Sequence, residues 1–379
     1  MREFTLFRHA SELPLDGAYI IRHKIGQSWA DLQINKENLM TEIALNLNAS
    51  AEAIAFTKEN FVFDCLSLFY VLDDSYAENC LNAGVNACNV TFGAETEWPA
   101  MIASIESGLE KIEKSHLLSL ATTSAEIEKA NSRGQLAVIM GTQGSLMVDR
   151  KLERISIMHR LGMRYFGLAY TAATLLADGC GETRDAGITF LGKEAIKIVN
   201  DLPLILDLSH CGHNTRLEAT DLARAPVCTH SNAYGLNAND RNTKDDTAKA
   251  IAAKNGVVGI CGLPKTVNPG TATIEHMLDH CDYYRDLIGF EHIGIGLDLT
   301  EAYKISGEIF PESRRWRTYR PDIFGTVDEF FTQSYPIGLT TILELPNFTQ
   351  GLIDRGYEEH EVAAILGNNW LRNFKNYVG

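Results

Sequence analysis

Eight short apolar runs, separated by segments of helical character, restrict the fold of this chain more than any other feature. They are Phe61–Leu68, Val85–Phe92, Leu136–Gly141, Arg164–Tyr170, Leu204–Ser209, Pro226–Thr229, Gly256–Cys261 and His292–Asp298. Each is near-continuously apolar rather than alternating, as parallel strands covered on both faces must be. Helix-like segments lie between them, among them Ala100–Ser115, Lys151–Leu161, Leu191–Asn200, Lys244–Lys254 and Ile274–Leu287. This alternation predicts an α/β fold, a (β/α)8 barrel, with a doubly wound open sheet as the alternative. No G-x-G-x-x-G follows the first run, which argues against a dinucleotide-binding sheet.

Residues 1–60 read as an N-terminal extension packed on a barrel of residues 61–379. Within the extension Tyr19–His23 has strand character. Asn35–Lys58 reads as helix, with Leu39, Ile43, Leu45, Leu47, Ala53 and Phe56 available for one face. After the last run, Glu301–Arg320 is polar, aromatic and irregular, and predicts an active-site loop. Pro346–Val378 predicts two or three outer helices, the first capped by Asn347 with Phe348, Leu352 and Ile353 on its buried side.

Two of the eight runs carry the chemistry. Leu204–Ser209 runs into His210, and Pro226–Thr229 runs into His230. Between them Asn214–Arg224 has Leu217, Ala219, Leu222 and Ala223 at helical spacing. Carboxyl ends of parallel strands face the active site, so these imidazoles can converge on one metal ion. Taken singly, each reads as a satisfied histidine at the rim of a core. Other residues at the ends of runs are Thr91, Gln143, Tyr170, Cys261 and Asp298. Asp298 closes the Gly-rich run Ile293–Asp298 and reads as a metal ligand or general base, or as a loop cap. Arg241 follows the sixth run, in Asp240-Arg241-Asn242, where it can bind a substrate carboxylate or pair with Asp240 or Asp245.

The formal net charge of −15, from 34 Lys and Arg against 49 Asp and Glu, argues against a nucleic-acid partner. No run approaches the length of a membrane-spanning helix, and Met1–His9 lacks a signal-peptide core. The 8 cysteines contain no C-x-x-C pair. They read as reduced, mostly buried residues of a cytoplasmic protein, with Cys65 the one candidate for a catalytic thiol.

Several motifs resemble the membrane (renal) dipeptidase family, peptidase family M19. They are Asp207-Leu208-Ser209-His210, Thr229-His230-Ser231, Asp240-Arg241-Asn242, Gly294–Asp298 and Leu345-Pro346-Asn347-Phe348-Thr349. Gly187–Gly192 is similar to the family's G-L-T-x-x-G, and Ile365–Arg372 to its I-L-G-G-N-x-L-R. The resemblance implies a (β/α)8 barrel, a zinc-dependent dipeptidase activity on a small carboxylate-bearing substrate, and a homodimer. It implies that His210 and His230 form the second zinc site, that Asp298 takes part in proton transfer and that Arg241 holds the terminal carboxylate.

Three positions depart from the family. Its first strand carries H-x-D within D-G-H-N-D, whereas the aligned run here is Asp64-Cys65-Leu66-Ser67-Leu68. Its bridging carboxylate lies in G-x-E-G, whereas Gly141-Thr142-Gln143-Gly144 offers an amide. Its histidine after the fourth strand is matched by Tyr170, a hydrogen-bond donor that carries no charge near neutral pH. All three fall at the first metal site while the strands that carry them persist. One divalent metal, zinc in the family, or none is therefore expected, on His210 and His230 and completed by Asp298, Gln143 or water. Three functions follow from this set: a mononuclear hydrolase with Asp298 and Tyr170 catalytic and Arg241, Tyr170 and Gln143 holding substrate; a lyase or isomerase using the same pocket; or a binding protein that has lost the metal.

Overall fold

The computed structural model describes residues 45–379, apart from 308, 310, 333 and 334. Its nine strands are β1 (Phe63–Ser67), β2 (Ala87–Gly93), β3 (Leu118–Leu120), β4 (Leu136–Thr142), β5 (Met163–Gly167), β6 (Ile205–Asp207), β7 (Pro226–Val227), β8 (Val258–Ile260) and β9 (Ile293–Ile295). All pair in parallel, in the order β7-β6-β5-β4-β2-β1-β9-β8. A parallel bridge from Cys228, just past β7, to Val258 in β8 brings the two ends together. The eight-stranded barrel is therefore nearly closed, and each of the eight apolar runs contains one of its strands.

The ninth strand, β3, has no counterpart among the apolar runs. It pairs with Leu136–Val138, the first half of β4, while β5 pairs with Met140 and Gly141 further along. Leu118-Ser119-Leu120 is three residues long and only partly buried. Such a segment carries no periodicity that distinguishes strand from loop.

Two apolar layers surround the strands. Phe63, Cys65, Ala87, Ala137, Ile139, Tyr165, Ile205 and Val227 pack with Trp370 and Phe374. These last two come from the C-terminal helix Asn369–Tyr377 and seal the barrel floor. On the other face Cys88, Val90, Val138, Met140, Leu206 and Ile260 pack beneath the surrounding helices. Trp370 donates its indole N–H to the Ile295 carbonyl at 3.0 Å. Its ring reaches β9 because position 294 is glycine: a Cβ there would lie 2.2 Å from the indole nitrogen.

Several expected helices are shifted by a residue or two, but four readings need correction. The segment between β6 and β7 is helical at His213–Leu222, yet its buried face is Thr215, Arg216, Ala219 and Thr220, while Leu217 and Leu222 are exposed. Helix starts at Ala51, capped by Ser50, rather than at Asn35, and Leu45 and Leu47 are exposed. Tyr19–His23, Leu39 and Ile43 lie outside the described residues. Glu301–Arg320 is not an irregular loop; it contains the helices Glu301–Ser306 and Pro311–Tyr319, followed by Pro321–Phe324. Asn347 is not a cap. The helix Leu345–Asp354 begins after Glu344, and the Asn347 amide instead accepts from Asn48 and Ala49 N–H and donates to the Asn46 and Gly338 carbonyls. Phe348 and Leu352 are buried as expected; Ile353 is exposed.

Helix Ala51–Glu59 lies against Leu345–Asp354 through a 2.7 Å bond between the Thr57 and Thr349 hydroxyls. Among the described residues no helix is long and apolar enough to cross a membrane. Gly294→Ala should overpack the floor and displace Trp370, costing about 1–3 kcal/mol. Thermal unfolding should show a midpoint lowered by several degrees; an unchanged midpoint would mean that Trp370 has room to move.

Candidate active site

The carboxyl ends of β6 and β7 are tied together by one carboxylate and one guanidinium, both buried. Asp207 Oδ1 accepts from the Ser209 N–H at 3.0 Å, the Ser209 hydroxyl at 2.6 Å and the Thr229 N–H at 3.0 Å, and Oδ2 accepts from the Thr229 hydroxyl at 2.8 Å. Arg216 donates to the carbonyls of Leu208 (3.1 Å), Asn242 (2.6 Å), Ser209 (2.7 Å) and Arg241 (2.9 Å). One fork thus holds the turn before His210 and the loop that carries Arg241. Without such partners these buried carbonyls would be left unsatisfied.

This frame sets the histidines. Their Nε2 atoms face each other at 3.2 Å. Since the Thr229 hydroxyl gives its proton to Asp207, it is left to accept from His230 Nδ1 at 2.7 Å. His230 therefore carries its proton on Nδ1 and presents a lone pair at Nε2. His210 Nδ1 lies 3.3 Å from the Thr171 hydroxyl, and its ring stacks on Tyr170 with centroids 4.0 Å apart. Burial, then the charge of Arg241, pulls both imidazoles well below their ordinary pKa, so both stay neutral at pH 7.

Arg241 is 2% exposed, donates Nη1 to the Ser209 carbonyl and leaves Nε without a partner. It makes no ion pair with Asp240 or Asp245: Asp240 pairs instead with Arg320 and faces His213, and Asp245 accepts from Tyr283. Asp298 sits in the left-handed region at φ 52°, held by its N–H on the Leu66 carbonyl at 3.1 Å. Non-glycine residues held there cluster at functional sites. Burial raises the Asp298 carboxyl to about 7, against the opposing pull of Arg241. Its neighbour Asp64 is raised to about 6 by burial, although it accepts from Ser67, Leu297 and Leu66. Burial, then the Asp298 charge, pushes the Tyr170 hydroxyl up, so it remains a donor. Beside Tyr170 a cavity of about 530 Å³ opens between Ala94, Glu95, Ser145, Ala173, Glu312 and Arg315.

Tyr170, His210, His230 and Arg241 are thus gathered at one end of the barrel, with Asp298 within the field of Arg241. Gln143 is buried at the end of β4, and its amide donates to the Thr91 hydroxyl at 2.8 Å rather than meeting the histidines. Cys65 is no catalytic thiol. It is fully buried and its pKa lies well above that of a free thiol, from burial first, so the reactive thiolate does not form.

As a metal site the donors fit one ion in part. Two imidazoles bound to one tetrahedral ion at about 2.0–2.1 Å stand about 3.3 Å apart, close to the observed separation. The Asp207–Thr229–His230 chain is the outer-shell support such ligands use. A dinuclear centre does not fit: Leu66 and Leu68 are buried hydrocarbon at the aligned positions. Nor does Asp298 complete a three-residue set, because no group of three His, Cys, Asp or Glu among the described residues could hold an ion.

Sequence reading missed Arg216, because Leu217 and Leu222 draw the apolar face to the wrong side of that helix. It also missed Asp207 and Thr229 as supports, although both lie inside the quoted motifs.

Asp298 also leaves a mark on stability. Its folded value of about 7 lies above the ordinary 3.8, so between these pH values the folded state keeps a proton that the unfolded chain has lost. Stability is therefore lost as pH rises from about 4 through about 7. Asp298→Asn, neutral at every pH, should raise the thermal midpoint by about 2–4 °C or more near pH 8 and change it little near pH 4. Equal shifts at both pH values, followed calorimetrically, would overturn the assignment.

Comparison with known proteins agrees with this architecture. The family model for membrane dipeptidase (Peptidase family M19) matches residues 65–307. Dipeptidase tcpJ of Claviceps purpurea (strain 20.1) is 26% identical over 262 residues, 67% of this chain and 54% of that protein. Dipeptidase verJ of Clonostachys rogersoniana is 26% identical over 258 residues, 67% of this chain and 59% of its own. This chain therefore spans little more than half the length of these curated relatives. Among solved structures, an amidohydrolase from Pseudomonas aeruginosa superposes with a TM-score of 0.76 at 25% identity, covering 86% of this chain and 99% of that one. A Rhodobacter sphaeroides metallopeptidase, solved with a phosphinate mimic of the dipeptide L-Ala-D-Ala, shares the fold at a TM-score of 0.67 and 18% identity, over 84% of this chain and 99% of that one. With the model matched across more than half its length, this chain belongs to the membrane dipeptidase family, peptidase family M19.

Proposed function

We propose that this chain is a hydrolase of the dipeptidase type, acting on a dipeptide or another small carboxylate-bearing amide, with one divalent metal held by His210 and His230. The observation that carries the reading is the pair of Nε2 atoms 3.2 Å apart, with His230 Nδ1 anchored on Thr229. A divalent ion bound there, zinc by the family's habit, lowers the pKa of a bound water toward neutrality.

The remaining roles belong to the chain. Arg241, with its fork fixed by Ser209 and its Nε unpartnered, receives the substrate carboxylate. Tyr170 keeps its proton and donates to the oxygen that becomes negative as the amide is attacked. Asp298, poised near pH 7, takes a proton and returns it to the leaving amine. Gln143, fixed on Thr91, lines the mouth on the substrate's far side.

A second reading has its own support. Without a metal, His210 Nε2–H can donate to the His230 lone pair at the same 3.2 Å, and the described residues offer no third ligand. Metal content separates the two. Protein purified without chelator should hold about one equivalent of metal, lost in the His210→Ala/His230→Ala double mutant. Asp298→Asn should lower kcat on a cleaved dipeptide by about 10²–10⁴-fold, and the parent rate should rise with pH through about 7 as Asp298 ionises. Two equivalents would place other residues in the roles of Leu66 and Leu68. No metal, even after incubation with zinc or manganese, would refute hydrolysis by this route and favour metal-free chemistry or binding alone.

A further inference from the structure

The chain beyond β9 returns across the barrel mouth as a roof. Arg315 and the Trp316 indole N–H donate to Glu95, in the loop after β2. Arg320 donates to the Gly181 carbonyl, after β5, and to Asp240, after β7. Asn239 donates to the Ile323 carbonyl at 3.0 Å, and Ile323 and Phe324 pack with Cys180, Cys261 and Leu263. In helix Pro311–Tyr319, Arg314, Arg315, Thr318 and Tyr319 face solvent, while Arg317 is 7% exposed.

Arg317 is held by Nη1 on the Phe324 carbonyl and by its guanidinium 4.6 Å from the Phe330 ring. No carboxylate of the described residues forms an ion pair with it. Glu329, the acidic group nearest in sequence, is occupied by the Thr326 N–H and by Lys265 at 3.6 Å. The other charged or titratable groups that feel Arg317 are Tyr335, Tyr170, Asp298 and Lys304, and burial with the Arg317 charge lowers the Lys304 ammonium to about 8. Tyr335 is itself bonded to the Asp298 carbonyl at 3.0 Å. A buried guanidinium without an anion is costly, and one placed over a substrate pocket is stabilised when the substrate brings the anion.

We infer that Arg317 is a specificity-determining residue that, opposite Arg241, selects a substrate with a second anionic group: a dipeptide-like amide carrying an acidic side chain or a dicarboxylic acyl group. The inference rests on the dipeptidase reading for the bond that is cleaved, but not for the charge preference. A terminal carboxylate occupies Arg241, and a second carboxylate, held by a neighbouring side chain, reaches the roof.

The test uses the full chain and two isosteric pairs, L-Ala-L-Glu against L-Ala-L-Gln and L-Glu-L-Ala against L-Gln-L-Ala. Turnover is read as kcat and KM, and binding by calorimetry. At least one acidic peptide should be preferred by about 10-fold or more, in KM and in Kd. Arg317→Met should collapse that ratio towards one, Arg317→Lys should keep most of it, and Arg314→Met, on the solvent side of the same helix, should leave it intact. No preference in the parent would overturn the inference, as would an Arg317→Met variant that weakens acidic and neutral peptides alike, the mark of a merely structural residue. If no peptide is cleaved the hydrolytic reading fails, but the calorimetric ratio still decides the role of Arg317; no binding at all overturns both.

Discussion

The site depends on the buried fork of Arg216. Four carbonyls from two loops converge on one guanidinium, and these loops carry His210 and Arg241. Asp207 does the complementary work with donors, gathering two backbone N–H groups and two hydroxyls from β6 and β7. Strands as short as Ile205–Asp207 and Pro226–Val227 have few ladder bonds with which to hold their ends in register. The side-chain frame supplies that rigidity, and it also sets the proton of His230. A ligand pair is only as precise as the groups behind it.

The two halves of the barrel mouth are therefore unequal. On the β6–β7 side, both imidazoles, their supports and the carboxylate-binding arginine are in place. On the β1–β4 side, where relatives in the family keep a second set of ligands, there are leucines and a glutamine tied to Thr91. The Asp64 carboxylate nearby is spent on the backbone of Leu66 and Leu297. Removing a metal's charge from a buried site raises the neighbouring carboxyls, and Asp298 and Asp64 both stand high. Arg241 and Arg317 then dominate the field, which makes an anionic ligand the natural complement of the pocket.

The barrel was legible because parallel strands covered on both faces must be apolar at nearly every position, and that pattern is local. The helices between them were legible in outline, since a residue or two at each end is set by capping rather than periodicity. The face of His213–Leu222 was not. Its apolar residues at 217 and 222 point outward, and an arginine points in, because four carbonyls elsewhere in the chain make burial of a charge affordable. Nor was the roof legible. Pro311–Tyr319 is too polar to signal a buried face, and what holds it are Glu95, Gly181, Asn239 and Asp240, far away in sequence.

By itself, then, the sequence determined the barrel, its strand ends and the two histidines, because hydrophobic burial on both faces of a parallel sheet leaves a pattern in consecutive residues. It also determined the loss at Leu66, Leu68 and Gln143, since ligand chemistry belongs to the residue type. Only the tertiary structure decided that the Nε2 atoms face one another, that Asp298 is held in a left-handed conformation near two guanidinium groups, and that Arg317 closes over them. Those facts depend on hydrogen bonds and fields between segments far apart in the chain, and such long-range terms write no period into the residues that share them.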